Sequence, residues 1–310
     1  MTHSVAVIGA GITGLACARA LADAGRDVVV FDKGRGIGGR MATRRVGDDM
    51  AFDHGAQYFR ARSPAFQDVI TEANAAGLVS EWPAARSDSP AWVGTPGMNG
   101  LAKHVARGLD VRQNVEITSV RRVANGWNLS HAAGEETAAH LICTVPVVQA
   151  RPLLGQEPGM LDAMAQVQAH PCWALMIAFD GQINAPDWQR PDGSALAWTA
   201  RNSAKSGRPE IECWVAHATS DWSRTHLEQD RSEAAERLSH AFAKLIGPLP
   251  DVLYTSAHRW RYATTQTALA EPFLRAEGLH IGGDWCLGAR VEHGFESGRA
   301  VAADLLGQAP

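Results

Sequence analysis

Three glycines near the start of the chain, Gly9, Gly11 and Gly14, have the spacing G-x-G-x-x-G. They follow the apolar run SVAVI, and a stretch with helical periodicity and the run DVVVFD come after them. A strand, a glycine turn, a helix and a second strand form one βαβ unit, which predicts a parallel sheet with a right-handed crossover. Asp32 ends the second strand, where its carboxylate can accept hydrogen bonds from both hydroxyls of an adenosine ribose. The pattern predicts a Rossmann-like dinucleotide site, with a helix N-terminus facing a pyrophosphate.

Later stretches predict the remaining elements of an α/β chain. Helical periodicity with terminal glycine, proline or serine signals predicts helices over residues 63–77, 98–108, 231–247 and 291–306. Apolar or alternating runs predict strands at residues 172–180, 211–219 and 279–284. Residues 111–145 alternate like strands, and Asn125-Gly126 predicts a hairpin turn within them.

The composition is typical of a globular protein that has neither a nucleic-acid nor a membrane partner. The formal charge is −4 at pH 7, and no apolar run approaches the roughly 20 residues that cross a bilayer. The first residues lack a basic leader followed by a cleavage site, so a cytoplasmic location is expected. The five cysteines are scattered and the histidines lack ligand spacing, which predicts neither a disulfide framework nor a metal site.

A second glycine-rich stretch overlaps the end of the βαβ unit. Residues 31–45, FDKGRGIGGRMATRR, contain four glycines and four arginines. Arg40 follows a glycine pair and could reach the same pyrophosphate from another side, because a guanidinium binds two phosphate oxygens at once. For Arg35, Arg44 and Arg45, a solvated basic loop is the preferred interpretation.

With these residues the chain resembles the amine-oxidase-like FAD flavoproteins and, among them, the renalases. FDKGRGIGGRM and GGDWCLGARVEHGFESG mark the superfamily, whereas FDHGAQYF, WVGTPGM, ARNSAK, HATSDWS and AHRWRYA favour renalase. The resemblance implies an α/β fold in which a Rossmann-like FAD-binding domain is joined to a substrate domain built on an antiparallel sheet. The FAD-binding domain would be discontinuous, with residues 1–60, 93–150 and 275–310, and the substrate domain would contain residues 61–92 and 151–274.

The resemblance also implies how FAD is held. The cofactor would be noncovalent, because Cys286 does not lie in the covalent-flavin motif of the superfamily. The backbone N–H groups of Val291 and Glu292, at a helix N-terminus, would meet the pyrimidine edge of the flavin and stabilise the negative charge that hydride transfer leaves there. The complete set of expected cofactor contacts is Gly9, Gly11, Ile12, Thr13, Gly14, Asp32, Lys33, Gly39, Arg40, Gly55, Ala56, Gln57, Ile117, Gly283, Asp284, Val291 and Glu292.

Two flavin chemistries and one non-catalytic role compete for the function. The renalase resemblance implies an oxidase that takes hydride from 2- and 6-dihydro isomers of NAD(P)H and passes the electrons to molecular oxygen, giving β-NAD(P)⁺ and hydrogen peroxide. No essential catalytic base is expected, because hydride loss makes the pyridinium ring aromatic and releases no proton. An FAD-dependent amine oxidase or another flavin oxidoreductase is the alternative, although the predicted strand CWALMIAFD lacks the lysine that many amine oxidases carry. A binding protein on the same fold is the third hypothesis.

The substrate residues are inferred from where the renalase-like motifs fall. Aromatic and histidine side chains are expected to face the flavin, and a polar loop is expected to bind the pyrophosphate of a dinucleotide substrate. Ordinary surface charge is the alternative for that loop, and a structural role is the alternative for His217. Trp173, Trp188, Trp198 and Trp222 are expected in the core. The candidate substrate residues are Tyr58, Arg60, Arg201, Asn202, Lys205, Trp214, His217, Trp260, Tyr262 and Trp285.

Overall fold

The structure, a computed structural model, describes residues 2–154, 157 and 159–308. Seventeen strands lie within these residues: β1 (Thr2–Ile8), β2 (Val28–Asp32), β3 (Thr43–Val46), β4 (Met50–Asp53), β5 (Val79–Glu81), β6 (Trp92–Gly94), β7 (Asp110–Gln113), β8 (Ser119–Val123), β9 (Gly126–His131), β10 (Gly134–Cys143), β11 (Gln168–Phe179), β12 (Trp188–Gln189), β13 (Leu196–Arg201), β14 (Glu212–Ala218), β15 (Val252–Thr267), β16 (Phe273–Ala276) and β17 (Leu279–Gly282).

The same residues form nine α-helices: α1 (Ile12–Asp23), α2 (Pro64–Ala75), α3 (Gly100–Val105), α4 (Val147–Leu154), α5 (Met160–Ala165), α6 (Ser220–Thr225), α7 (Arg231–Ile246), α8 (Asp284–Leu287) and α9 (Val291–Leu306). Every helix and strand predicted from the sequence is present in the described residues, and so is the hairpin, in which β8 pairs with β9.

An eight-stranded sheet carries the predicted βαβ unit. Its main path runs β16-β17-β10-β1-β2-β7, and β9 joins it through β10 and also pairs with β8. Strand β1 runs parallel to both β2 and β10, and β10 runs parallel to β17. Residues of β1 such as Val5, Ala6 and Val7 are at most 1% exposed, because layers on both faces cover a central parallel strand. The predicted parallel βαβ unit is confirmed, and the antiparallel pairs of β9 with β10 and of β16 with β17 make the whole sheet mixed.

Close backbone contacts fix helix α1 against the turn that precedes it. Gly9 has a φ of +109°, a conformation that side chains rarely allow. A Cβ atom on Gly14 would lie 2.0 Å from the Gly9 carbonyl oxygen, so the third glycine of the motif permits this contact. The N-terminus of α1 therefore lies directly beyond the end of β1.

Helix α9 packs against α1 in the same manner. A Cβ on Gly298 would lie 2.1 Å from the Thr13 carbonyl oxygen, and a Cβ on Gly294 would lie 2.8 Å from Cγ2 of Ile12. At Gly298 the close atom belongs to the backbone, so only glycine permits this contact. The α9 N-terminus at Val291 and the glycine turn before α1 consequently line one cavity.

A five-stranded antiparallel sheet, in the order β12-β13-β14-β11-β15, forms the second layer system. Trp214 and Ala216 of β14 pack in one apolar cluster with Leu238 of α7, so this face of the sheet is covered by the long helix. His217 lies on the opposite face of β14 and lines the cavity. The sheet thus separates a helix-covered core from a wall of the cavity.

The predicted domain boundaries agree with the division of the strands into two sheets, but they do not agree with the packing of helix α2. All strands of the five-stranded sheet come from residues 168–267, within the range expected for a substrate domain. Helix α2, however, places Phe66 and Ile70 in the same apolar cluster as Leu15 of α1. The division into two domains therefore stays a prediction. None of the helices in the described part of the chain has both the length and the apolar character needed to cross a membrane.

Candidate active site

A cavity of about 2190 Å³ brings the predicted elements together. The glycine turn before α1, the arginine turn after β2, the loop after β4, the strands β14 and β15, and the N-terminus of α9 all contribute to its lining. Pockets for a single drug-sized ligand are typically about 300–1,000 Å³. The cavity therefore has room for a large cofactor and a second ligand.

Asp32 lies at one end of the cavity, where the βαβ motif predicts a ribose. Its two carboxylate oxygens accept hydrogen bonds from the backbone N–H groups of Ala10 and Gly34, each at 2.6 Å. These contacts fix the carboxylate, and each oxygen keeps a second lone pair for a ligand hydroxyl. Ile117 and Lys33 line the cavity together with Asp32.

Arg40 joins three parts of the site. It follows Gly38 and Gly39, which have φ values of +106° and +54°, and its guanidinium donates to Asp284 Oδ1 at 2.6 Å. Its carbonyl oxygen accepts a hydrogen bond from the Ala56 N–H at 2.8 Å. The head group keeps an exposed surface in the cavity, so it can bind an anion while Asp284 orients it.

The first turn of α9 presents backbone donors to the cavity. The first N–H groups of a helix have no acceptor within the helix, and Val291 and Glu292 occupy these positions and line the cavity. The Glu292 side chain is 4% exposed. Its Oε1 accepts from the backbone N–H groups of Arg62 and Ser63 at 2.5 and 2.8 Å. These bonds tie the helix start to the segment before α2.

Aromatic and histidine side chains surround another part of the cavity. His54 stacks on Trp260 with ring centroids 5.2 Å apart, and the His258 ring lies 4.7 Å from His54. Burial lowers the pKa of His54 and of His217 to about 4, and the pKa of His258 to about 3. The positive charge of Arg44 adds to this effect on His54 and His258. All three imidazoles are therefore neutral near pH 7.

A buried ionic cluster lies behind the loop after β4. Asp53 accepts hydrogen bonds from Lys205 at 3.2 Å and from Arg208 at 2.6 Å, and all three side chains have no exposed surface. Burial acts to raise the pKa of Asp53, but the two cations outweigh it and hold the pKa well below its usual range. Burial lowers the pKa of Lys205 to about 8, against the opposing effect of Asp53.

This cluster corrects two of the predicted substrate contacts. Lys205 and Asn202 do not line the cavity, because the lysine is enclosed by the ionic cluster and the Asn202 amide donates to the Ala51 carbonyl at 2.7 Å. The side chains of Asn202, Lys205 and Arg208 in this loop are thus buried and are not available to a pyrophosphate.

Three further predicted substrate residues, and one cofactor residue, also lie away from the cavity lining. Arg201 donates to the carbonyl oxygens of Ile183 and Ala185 at 2.6 and 2.9 Å. Trp214 is fully buried beneath α7, and Trp285 is 3% exposed in the apolar core beside the parallel sheet. Gly14 serves the close packing of α1 on the turn. None of these four residues is therefore positioned to contact a ligand in the cavity.

The other predicted residues do meet at the cavity. They are Gly9, Gly11, Ile12, Thr13, Asp32, Lys33, Gly39, Arg40, Gly55, Ala56, Gln57, Ile117, Gly283, Asp284, Val291 and Glu292 from the cofactor set, and Tyr58, Arg60, His217, Trp260 and Tyr262 from the substrate set.

Sequence reasoning missed several lining residues. Trp198 lies in the buried core, as expected, at 7% exposure. It also lines the cavity, which was not expected, with its ring centroid 5.9 Å from that of Tyr58. Arg44 and Arg190 also line the cavity, and the Arg190 guanidinium lies 5.3 Å from the Trp198 ring centroid. The pairing of β13 with β14 places Trp198 opposite His217. This register depends on contacts between distant segments, so a local sequence pattern does not predict it.

Comparison with known proteins identifies the family. Residues 7–73 match a model of NAD(P)-binding Rossmann-like domains, and residues 72–306 match a model of flavin-containing amine oxidoreductases. The 4,4'-diapophytoene desaturase of Staphylococcus aureus (strain Newman) is 47% identical over 67 residues, which are 22% of this chain and 13% of that protein. This chain therefore spans about an eighth of the length of the curated relatives it matches.

Two solved structures share the fold over the whole chain. A candidate protoporphyrinogen oxidase from Exiguobacterium sp. 255-15 superposes with a TM-score of 0.78 at 14% identity, covering 98% of this chain and 99% of the other. Putrescine oxidase bound to putrescine superposes with a TM-score of 0.73 at 14% identity, covering 99% and 100%. At this identity the similarity establishes the fold alone.

The chain belongs to the flavin-containing amine oxidoreductase family, because that family model covers most of its length, and FAD is its cofactor. The geometry suits this cofactor. Asp32 is fixed for a ribose, the glycine turn and Arg40 are placed for a pyrophosphate, and a second helix N-terminus lines the same cavity. No covalent attachment is implied by Cys286, which is buried and contacts the apolar core.

Proposed function

We propose that this family member is an FAD-dependent oxidase of misreduced dihydronicotinamide dinucleotides, the 2- and 6-dihydro isomers of NAD(P)H, and that it yields β-NAD(P)⁺ and hydrogen peroxide. The observation that carries the proposal is the charge of the cavity. Twelve basic side chains line it against four acidic ones, in a chain whose formal charge is −4. The basic residues are Lys33, Arg35, Arg40, Arg44, Arg45, Arg60, Arg62, Arg190, Arg231, Arg259, Arg261 and Arg290.

The four acids leave no carboxylate free for a cationic amine. Asp32 and Glu116 lie beside Lys33, at the end where a ribose is expected. Asp284 pairs with Arg40, and Glu292 accepts two backbone hydrogen bonds.

Several arginines, by contrast, have no carboxylate within 4.0 Å in the described part of the chain: Arg44, Arg62, Arg190, Arg231 and Arg290. The positive electrostatic potential of these arginines attracts an anionic dinucleotide and repels a protonated diamine.

We further propose that the residues at the cavity divide into a cofactor group and a substrate group. Gly11, Asp32, Arg40 and the first turn of α9 would hold the FAD, which supplies a two-electron acceptor that molecular oxygen can reoxidise. The aromatic rings of Tyr58, Trp198 and Trp260 would enclose the dihydropyridine ring and exclude water.

The chemistry needs orientation more than proton transfer. Loss of hydride from a dihydropyridine forms an aromatic pyridinium, so no proton has to leave the ring. The neutral state of His54, His217 and His258 is consistent with this requirement. The N–H groups of Val291 and Glu292, fixed at a helix start, would stabilise the developing negative charge without reorganisation.

Amine oxidation is the second candidate, because the chain belongs to a family named for it and because putrescine oxidase shares the fold. Among the described residues that line the cavity, Lys33 is the only lysine, and it lies at the expected ribose end. The excess of arginines weighs against a cationic substrate. A non-catalytic binding role is the third candidate and would be shown by failure of the FAD-loaded protein to turn over any donor.

An oxygen-electrode assay of the FAD-loaded protein tests the proposal. The donors are the 2- and 6-dihydro isomers of NADH, ordinary NADH, putrescine and benzylamine, each with peroxide measured in parallel. We expect oxygen uptake with the two isomers, and a KM that rises with salt because arginines attract the substrate. Uptake with putrescine or benzylamine alone would refute the proposal and favour the amine oxidase.

A further inference from the structure

The buried ionic cluster of Asp53, Lys205 and Arg208 contains two cations and one carboxylate. None of the three side chains has exposed surface, and among the described residues Asp53 is the only carboxylate within 4.0 Å of either cation. Arg208 binds Asp53 Oδ2 at 2.6 Å, whereas Lys205 Nζ lies 3.2 Å from the same oxygen. Arg208 is therefore the closer partner of the carboxylate, and Lys205 supplies an excess positive charge.

The contacts of Lys205 are those of a charged ammonium group. Its Nζ donates to Asp53 Oδ2, Gln57 Oε1 and Asn202 Oδ1, each at 3.2 Å. A neutral amine has only two hydrogens and would leave one of these oxygens without a donor. Nζ also lies 5.2 Å from the centroid of the Trp82 ring, whose face attracts a cation. Burial lowers the pKa of Lys205 to about 8, so the side chain is still mostly charged at pH 7.

A single loop separates this charge from the cavity. Gln57, which accepts from Nζ, lines the cavity, and so do Gly55 and Ala56. These three residues belong to the expected cofactor contacts. Lys205 itself does not line the cavity, so a ligand cannot pair with its ammonium group. The charge therefore acts on a bound cofactor through the protein interior, where screening by salt is weak.

We propose that Lys205 supplies a buried positive charge that raises the reduction potential of the bound flavin. Reduction of the flavin by two electrons and one proton adds one negative charge to the ring system. A cation behind the cavity wall stabilises this charged form more than the oxidised form, and it needs no reorganisation to do so. A unit charge about 10 Å away changes such an equilibrium roughly tenfold at an effective dielectric constant of about 20.

This role goes beyond the proposed function, because it requires the FAD and not a particular donor. The reduction potential is measured against a reference dye during slow anaerobic reduction of the FAD-loaded wild type and of Lys205→Met. Methionine is similar in length and has no charge, and Asp53 keeps Arg208 as its partner. At pH 6.5 we expect the variant's potential to be about 30 mV lower, a tenfold change in the two-electron equilibrium constant. An equal or higher potential in Lys205→Met would overturn the proposal.

The pH dependence of this difference separates a charge effect from general damage to the fold. The ionisable groups next to Lys205 among the described residues are Asp53, Arg208 and His217. Asp53 stays ionised, because the two cations hold its pKa well below the usual range. His217, with a pKa lowered to about 4, stays neutral, and an arginine does not lose its proton. Of these groups, only Lys205 changes its charge between pH 6.5 and 10.

We therefore expect the two potentials to differ at pH 6.5 and to converge at pH 10, where the wild-type lysine is neutral. Groups elsewhere that titrate in this range are present in both proteins and cancel in the difference. A difference that stays constant up to pH 10 would show a change of shape rather than of charge, and it would refute the proposal.

Two further variants keep the test interpretable. Lys244 is exposed on α7, so Lys244→Met controls for the loss of a lysine charge at a screened position and should leave the potential unchanged. If Lys205→Met fails to fold, Lys205→Gln removes the same charge, and its amide can still donate to Asp53. Because a general reductant supplies the electrons, failure to oxidise any dinucleotide would refute the proposed function while the potentials would still decide the role of Lys205.

Discussion

The contact between α1 and α9 makes Gly298→Ala the sharpest test of the fold's role in the site. The added Cβ would lie 2.1 Å from the Thr13 carbonyl oxygen, a backbone atom that cannot rotate away. An ordinary contact begins at 3.4 Å, so the two helices must separate by about 1.3 Å. That separation moves the α9 N-terminus away from the glycine turn on the other side of the cavity.

The size of the effect follows from packing. Overpacking of this kind costs roughly 1–3 kcal/mol, and the helix propensity of alanine offsets about 0.5–1 kcal/mol of it. We expect a net loss of about 1–2 kcal/mol in the free energy of unfolding, which lowers the Tm of a chain of 310 residues by roughly 2–3 °C. Misplacement of a binding group by about 1 Å can cost a hundredfold in a rate that depends on orientation, so FAD affinity should fall at least about tenfold.

The assay is thermal unfolding of the apoprotein together with titration of FAD by fluorescence. Gly294→Ala is the matched variant on the same helix. Its Cβ would meet the ends of side chains, Ile12 Cγ2 at 2.8 Å and Thr13 Oγ1 at 3.1 Å. These atoms can move, so the loss should be less than half of that in Gly298→Ala. Wild-type stability and FAD affinity in Gly298→Ala, or a larger loss in Gly294→Ala, would refute the reasoning.

Three other predictions concern the cavity and the core behind it. Burial holds the pKa values of His54 and His258 at about 4 and 3. Below pH 6.5 the unfolded state therefore binds more protons than the folded state. Each histidine should then remove up to about 1.4 kcal/mol of stability per pH unit as the pH falls toward 4. Chemical denaturation at pH 5 and 7 should show this loss, and His54→Gln should reduce it. Arg44→Glu should raise the KM for a dihydronicotinamide dinucleotide about tenfold while FAD affinity stays within a factor of two; an unchanged KM would show that Arg44 does not bind the substrate. Burial raises the pKa of Cys143 to about 12, and the residue has no exposed surface, so a thiol reagent at pH 8 should modify it only after unfolding.

The sequence was sufficient for the features whose physics is local. The turn at Gly9 needs a positive φ, and Asp32 follows the second strand at the spacing that a ribose requires. Both signals lie within one βαβ unit of about thirty residues, so no knowledge of distant contacts was needed. The same is true of helix α9, which helical periodicity predicts over residues 291–306.

The buried cluster at Lys205 could not be predicted in this way. A loop with the sequence ARNSAKSGR has the composition of a solvated surface, yet Lys205 pairs with Asp53, 152 residues earlier in the chain. Only the fold brings the two together, and the pairing compensates for burying the charge. The substrate loop predicted from the sequence was wrong for that reason.

The positions of Trp198 on β13 and Trp214 on β14 could not be predicted from the sequence either. Alternation predicts that Trp214 and His217 lie on opposite faces of β14, but it does not say which face a helix will cover. Helix α7 covers the Trp214 face, and the His217 face, opposite Trp198 in the register, lines the cavity. Tertiary packing decides this assignment.

A single turnover without oxygen tests the central claim most directly. The FAD-loaded protein is mixed with one equivalent of a 6-dihydro isomer of NADH, the flavin absorbance is followed, and the quenched mixture is analysed for β-NAD⁺. The account predicts complete bleaching with one β-NAD⁺ formed per flavin, at a rate independent of pH between about 5.5 and 7.5 because the cavity histidines are already neutral there. No bleaching with this donor, together with full bleaching by putrescine, would contradict it.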